Sequence, residues 1–230
     1  KLWNASKFYL GQIEKRTHVS MQDLSRDIKT NIIKMGLDKW ILSSVQQTVV
    51  KSTALLQDYS YHEARKCIED FFWNDFCDNY LELIKKRAYS TVQEDERKSS
   101  LRTLGYVLKT LLRLFAPYFP HVADEINEML FTADQSVNSR GEWPNISHYY
   151  FSQQDISNGE ATKQILEQVR KHKSQYNLSL NAPIGSVSYR GRILGDDILR
   201  DIQNACNCHQ ITSDQNLTPN TLGVTDVLIV

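Results

Sequence analysis

The sequence predicts a mainly α fold, an antiparallel four-helix bundle followed by a small α/β appendage. Three observations carry this. Apolar residues recur at helical spacing through the first two thirds of the chain. The pattern then lapses into Ser, Asn, Gly and Gln around Trp143-Pro144. Beyond a further amphipathic helix, the end of the chain changes to short apolar alternations around one brief helical run. The division that follows is residues 1–131 as the bundle, 132–155 as a linker-like segment and 156–230 as a small C-terminal α/β subdomain.

In the opening helix, Leu2, Ala5, Tyr9 and Ile13 make one apolar stripe. A polar loop from Thr17 to Met21 and a short segment from Leu24 to Ile33 follow. Gly36 punctuates before a second long helix with Leu42, Val45, Val49 and Leu56 on one face. Asp58 to Tyr61 has turn chemistry. The strongest helical pattern runs from His62 to Arg87, through Ala64, Cys67, Ile68, Phe71, Phe72, Phe76, Tyr80, Leu83 and Ile84. Gln93 to Lys98 starts a fourth helix carrying Leu101, Leu104, Leu108, Leu111, Leu112 and Phe115, which Pro117 and Pro120 break because proline lacks an amide donor. A further helix spans His121 to Phe131. Short loops between helices with broad apolar faces give an antiparallel bundle. In the appendage, Ala161, Ile165, Leu166 and Val169 mark a helix ending in Arg170-Lys171-His172-Lys173. Ile184, Val187 and Tyr189 mark a strand closed by Gly191, Ile198, Ile202 and Ala205 a helix, and Val224 to Val230 a closing strand.

The 230 residues, 41% hydrophobic and 23% charged, fit a soluble globular protein. Lys+Arg and Asp+Glu both number 27, so the net charge is zero. That excludes a basic footprint over the whole surface and leaves room for a local basic stripe. Four cysteines are too few for a disulfide scaffold of this size. Cys67 and Cys77, set among aromatics in a helical pattern, read as reduced, buried thiols of a cytoplasmic protein. No apolar run approaches the roughly 18 residues that span a bilayer, so no membrane partner is expected. The start, Lys1-Leu2-Trp3-Asn4, has no initiator Met and no signal-peptide layout. It begins in mid-pattern, as a segment of a longer protein would.

No nucleophile–base pair, clustered metal ligands or glycine-rich phosphate loop is legible, so catalytic, cofactor-binding and metal-binding residues are all expected to be none. Cys206-Asn207-Cys208-His209 lacks the second ligand pair that zinc needs. His121, at a helix start, reads as a partly buried or capping residue. Within Phe71-Phe72-Trp73-Asn74-Asp75-Phe76, Phe72 and Phe76 share a face with Tyr80 and read as core, while Trp73 and Asp75 lie off that face and stay open between surface and base-stacking roles. On the opening helix, Lys1, Asn4, Phe8 and Gln12 line an arc only about 80° wide. A cation, an amide and an aromatic ring on one arc are groups with which proteins hold splayed RNA bases, and they are also what a solvated helix carries.

Lys1-Leu2-Trp3-Asn4-Ala5-Ser6-Lys7-Phe8 resembles K-L-W-N-A-x-R-F, the opening of the anticodon-binding bundle in valyl-, isoleucyl- and leucyl-tRNA synthetases of class I. Asp38-Lys39-Trp40-Ile41-Leu42-Ser43 is similar to that family's D-x-W-I-L-S. Phe71 to Glu82, preceded by Tyr61-His62-Glu63-Ala64, resembles the third helix, where F-x-W-N-D-F-C-D-W-Y-x-E suggests the valine enzymes. Leu111 through Ile126 is similar to L-L-x-L-x-H-P-F-x-P-F-x-x-E-E-I-W. Lys171-His172-Lys173-Ser174 through Leu180-Asn181-Ala182-Pro183 resembles the R-x-x-K-S-x-x-x-x-x-L-N-A-P junction. Asn79 stands where tryptophan is usual, Ala116 where histidine is common and Asn127 where tryptophan is common. Lys7 replaces arginine, keeping the charge without the bidentate fork.

The resemblance implies that the whole enzyme activates valine with ATP and transfers it to tRNA. Its catalytic signatures, His-x-Gly-His and K-M-S-K-S, do not occur in the chain; Lys34-Met35-Gly36-Leu37-Asp38 lacks the Ser-Lys-Ser half. The chain would then lie C-terminal to its catalytic domain, which binds the ATP, and would itself bind tRNA, that for valine. Lys1, Asn4, Lys7, Phe8 and Gln12 would form the RNA-binding set, with Phe8 stacking on an anticodon-loop base and Lys1 and Asn4 making polar contacts. The same module from an isoleucine or leucine enzyme, or a non-catalytic helical protein-binding scaffold, are the alternatives.

Overall fold

The structure, a computed structural model, describes residues 1–13, 26–131, 142–144 and 150–215, and the backbone of 226–229. It is a helical bundle followed by a small α/β appendage. Helix α1 (Leu2–Gln12) buries Ala5, Ser6 and Tyr9 against the bundle. The predicted loop from Thr17 to Met21, and Leu24, lie outside the described residues. Helix α2 (Gly36–Gln57) is the central strut, with Trp40, Ile41, Leu42, Val45 and Val49 buried and Leu56 only half-buried at its end.

The run predicted as one helix from His62 to Arg87 is continuous, but its middle is wound differently. Helix α3 (Tyr61–Asp70) passes into a π-helix (Phe71–Tyr80) and then into α4 (Leu81–Ala88). The Leu81 amide donates to the Phe76 carbonyl five residues back. The Asn79 Nδ2 reaches the Asn74 carbonyl, also five back, at 2.7 Å. This widened turn stacks residues four apart: Phe72 on Phe76 and Phe76 on Tyr80, each with ring centroids 6.2 Å apart. All three rings are buried as core.

Helix α5 (Glu94–Phe115) opens with Glu94, Asp95 and Glu96, which complement the positive end of its dipole. Pro120 opens helix α6 (Pro120–Leu130) at its first position, where the missing donor costs nothing. His121 is exposed and makes no side-chain cap bond, contrary to expectation. Helix α7 (Gln153–Gln175) starts inside the stretch read as linker, capped by the Ser152 hydroxyl accepting from the Asp155 amide. It lies along α2, with Gly159 directly over the Trp40 indole; a Cβ on Gly159 would collide with that ring. The Trp143 indole N–H donates to Thr53 Oγ1 at 2.8 Å, so this part of the stretch is also docked on α2.

The appendage is a three-stranded sheet of order β2-β1-β3 with helix α8 (Asp196–Cys206) between its first two strands. Strand β1 (Ile184–Arg190) runs parallel to β2 (Cys208–Ser213), Val187 opposite Ile211, and antiparallel to β3 (Asp226–Ile229), Val187 opposite Ile229. The predicted closing strand is therefore present at 226–229, its other residues lying outside the described set. Strand β2 was not foreseen, because it is an edge strand that buries only Ile211 and so shows no apolar alternation. The four cysteines are free, but Cys67, Cys77 and Cys208 are half-buried rather than buried; only Cys206 sits in the core.

Two buried cations hold the appendage together and fasten it to the bundle. Lys173 Nζ donates to the carbonyls of Leu180, Ala182 and Cys206 at 2.6, 2.8 and 2.8 Å, and burial pulls its pKa down. That bonding explains why a lysine, a Leu-Asn-Ala-Pro turn and the end of α8 belong together. Arg87 of α4 donates through Nη2 and Nη1 to Asp38 of α2 at 3.0 and 3.2 Å, and through Nε to Asp201 of α8 at 3.0 Å. Tyr80 Oη and Ser99 Oγ complete the shell of Asp38. Burial pushes the Tyr80 phenol well up. One guanidinium serves two carboxylates, and burial outweighs Arg87 at the second, lifting the Asp201 carboxyl to about 7. The start of α2 is closed by the neighbouring acid, with the Gly36 amide donating to Asp197 Oδ2 at 2.6 Å.

Candidate nucleic-acid interface

A groove of about 330 Å³ runs between α1 and the outer face of the π-helix and α4. Its α1 wall is Lys1, Asn4, Ala5 and Phe8; its opposite wall is Cys77, Asp78, Leu81, Glu82 and Lys85. The stripe Ala5, Tyr9 anchors α1 to the core, which turns the Lys1/Asn4/Phe8 arc toward the groove. Phe8 is half-buried, its ring edge-on to Tyr89 at 5.7 Å. Lys1 Nζ lies 3.3 Å from Asp78 Oδ1 and 4.3 Å from the centre of the Trp73 ring. Asn4 is exposed.

Three of the five predicted residues therefore share one site, and two do not. Lys7 sits over Trp3 at 5.6 Å, outside the groove lining. Gln12 ends the helix, and its carbonyl accepts from Arg97 Nη2 at 2.7 Å; its side chain is not part of the groove. Of the arc Lys1, Asn4, Phe8 and Gln12, the first three line the groove, and Gln12 ends the helix where the backbone turns extended at Ile13.

The residues left open are now placed. Trp73 is partly exposed at the groove's end and carries the Lys1 ammonium on its face. Asp75 faces the other way and pairs with Lys163 of α7 at 2.7 Å. Burial raises the Asp75 pKa even against that lysine. Asn79, in place of the usual tryptophan, accepts from Arg170 Nη1 of α7 at 3.1 Å. The opposite wall escaped the sequence reading, although Asp78, Glu82 and Lys85 fall at i, i+4 and i+7 on the face away from the stacked aromatics. That spacing was the available signal. Cys77 on this wall is a neutral thiol, its pKa pushed by burial to about 11.

A second cleft of about 370 Å³ lies behind the same wall, between the π-helix, α4, α7 and the appendage. Cys77, Asp78 and Glu82 line both, so these residues form a ridge between two grooves. The Arg170 guanidinium borders the second, fixed by the Asp78 carbonyl at 2.6 Å and by Asn79. Among the described residues no group of three or more His, Cys, Asp or Glu side chains is placed to hold a metal ion.

An aromatic ring, an amide and a cation along one groove are groups with which proteins hold unstacked RNA bases. Residues 38–188 match the family described as the anticodon-binding domain of tRNA ligase, and the chain belongs to that family. It is similar to the valine–tRNA ligase of Wolbachia sp. subsp. Brugia malayi, 37% identical over 221 residues that make up 94% of this chain and 25% of that protein. The valine–tRNA ligases of Ehrlichia canis and Rickettsia prowazekii are 36% and 35% identical over 96% and 92% of this chain, and over 26% of each of those proteins. The chain thus spans about a quarter of the length of the curated relatives it matches. Among the described residues no helix is long and apolar enough to cross a membrane.

Proposed function

We propose that this chain is the anticodon-recognition module of a valine–tRNA ligase, binding the tRNA for valine in the groove between α1 and the π-helix. The observation that carries the reading is the convergence of Lys1, Asn4 and Phe8 on that groove. Phe8 presents an edge-held ring for stacking, Asn4 an amide that matches a base edge, and Lys1 a cation for phosphate. The names of the relatives favour valine over isoleucine or leucine. Activation of valine by ATP and its transfer to tRNA then belong to a catalytic part of the enzyme outside these residues, in the cytoplasm.

The test is Phe8→Ala in the full-length enzyme. Loss of one stacked base costs about 1–3 kcal/mol, a roughly five- to 150-fold weaker tRNA affinity, with valyl-adenylate formation unchanged. Unaltered affinity for the valine tRNA transcript would remove Phe8 from the interface. A salt series adds a second check, since binding through phosphates weakens steeply as salt rises.

A further inference from the structure

Helix α7 grips the back of the groove wall at two points. Lys163 pairs with Asp75 at 2.7 Å. About two turns further along α7, Arg170 reaches the end of the π-helix. Its Nη2 donates to the Asp78 carbonyl at 2.6 Å and its Nη1 to Asn79 Oδ1 at 3.1 Å. Asn79 is itself buried, and its Nδ2 spans the widened turn to the Asn74 carbonyl at 2.7 Å. The same Asp78 whose backbone is held from behind presents its carboxylate to Lys1 in the groove in front. Three residues past Arg170, Lys173 gathers the carbonyls that fold the appendage.

We propose that Arg170 is a positioning residue for tRNA binding, acting through Asp78 and Asn79 to fix the wall that faces Lys1, Asn4 and Phe8. The docking of α7 thereby sets the shape of a groove that α7 does not line. This inference rests on the anticodon reading above and concerns a residue outside the lining of that groove. Both acceptors of Arg170 are uncharged oxygens, so its hydrogen bonds are charge-assisted without forming an ion pair. The planar guanidinium reaches a main-chain carbonyl and a side-chain amide at once, which a lysine ammonium on its flexible stem does not reproduce. Because one acceptor is main chain, the constraint acts on the backbone of the wall and not on a side chain that could rotate away. Direct contact of Arg170 with RNA is the competing role. Asp78 and Glu82 line the cleft that Arg170 borders, and two carboxylates beside it disfavour a phosphate there.

The experiment is valine aminoacylation by the full-length enzyme carrying Arg170→Lys or Arg170→Gln, with KM for the valine tRNA transcript and kcat measured separately across a salt series. Both variants should raise KM about threefold to thirtyfold, the range for residues that act through a packed network. Valyl-adenylate formation and kcat stay unchanged, and the salt slope stays that of the unmodified enzyme. Asn79→Ala should raise KM as well, and its combination with Arg170→Lys should add less than the two single effects, because the two residues share one hydrogen bond. An unchanged KM in both Arg170 variants overturns this proposal alone and leaves the groove to the Phe8→Ala test; unaltered affinity in Phe8→Ala as well takes the anticodon reading with it. Full affinity in Arg170→Lys beside a loss in Arg170→Gln, with the salt slope smaller by about one, overturns the proposal in favour of a phosphate contact. A fall of kcat and adenylate formation together with affinity also overturns it, since that marks a general loss of structure.

Discussion

Among the acid–cation junctions that bridge separate helices, two stand at opposite ends of one physical variable, exposure. Arg87, Asp38 and Asp201 are at most 2% exposed. Lys1 and Asp78 are about half exposed, at 50% and 52%. In the buried junction every charge must keep its partner, since water cannot replace it. In the exposed one the pair is in competition with solvent, salt and any incoming phosphate. The first holds α2, α4 and α8 in one arrangement; the second is a contact that a ligand can take over. Burial thus separates the chain's structural charges from its exchangeable ones, which composition cannot do.

The comparison can be broken most decisively at Arg87. Arg87→Met leaves Asp38 and Asp201 buried without compensation and should cost roughly 3–5 kcal/mol in denaturant unfolding. A cost as small as that of a surface pair would erase the contrast. The pH dependence sharpens it. Asp201 is held at about 7, above the ordinary carboxylate range, by burial set against Arg87, with Asp38, Tyr80 and Asp197 also facing it. The folded protein therefore keeps a proton there that the unfolded chain has lost. The Asp201 contribution is fully present below about pH 4 and is lost as pH rises to about 7. Asp201→Asn should flatten that part of the stability profile, and an unchanged slope would assign the pH dependence to other groups. The smallest effect is expected at Lys1→Met, where losing an exposed pair changes stability by less than about 1 kcal/mol. Its tRNA affinity should fall nonetheless, and a thermal melt beside a binding titration separates the two.

Much of the fold was legible because helical periodicity survives in the stripes of α1 and α7, where burial follows the 3.6-residue repeat, while the predicted apolar stripes of α2 and α5 fall in helices buried nearly all round. The π-helix was not legible, since Phe72, Phe76 and Tyr80 satisfy a four-residue repeat in either winding. Strand β2 was hidden by having a single buried side chain. In the candidate site, the α1 wall could be placed from Lys1, Asn4 and Phe8, because one helix carries it. The facing wall of Asp78, Glu82 and Lys85 belongs to a segment 70 or more residues away by the numbering, and only packing brings it opposite α1. Lys7 and Gln12 lie outside the groove lining, because helix geometry sets the direction of a side chain but not where the facing neighbour stops.

The π-helical turn between α3 and α4 also acts as a phase shifter. A π-turn closes over one more residue than an α-turn, so rewinding the segment 71–80 as α-helix at unchanged length would rotate everything downstream by roughly 100° or more. Arg87 would swing away from Asp38 and Glu82 would leave the groove. The winding of ten residues therefore sets, in a single step, both the clasp to the appendage and the chemistry of the groove wall. Winding in this segment is as constrained as residue identity, and a change that restored α geometry at the same length should be more damaging than most substitutions within it.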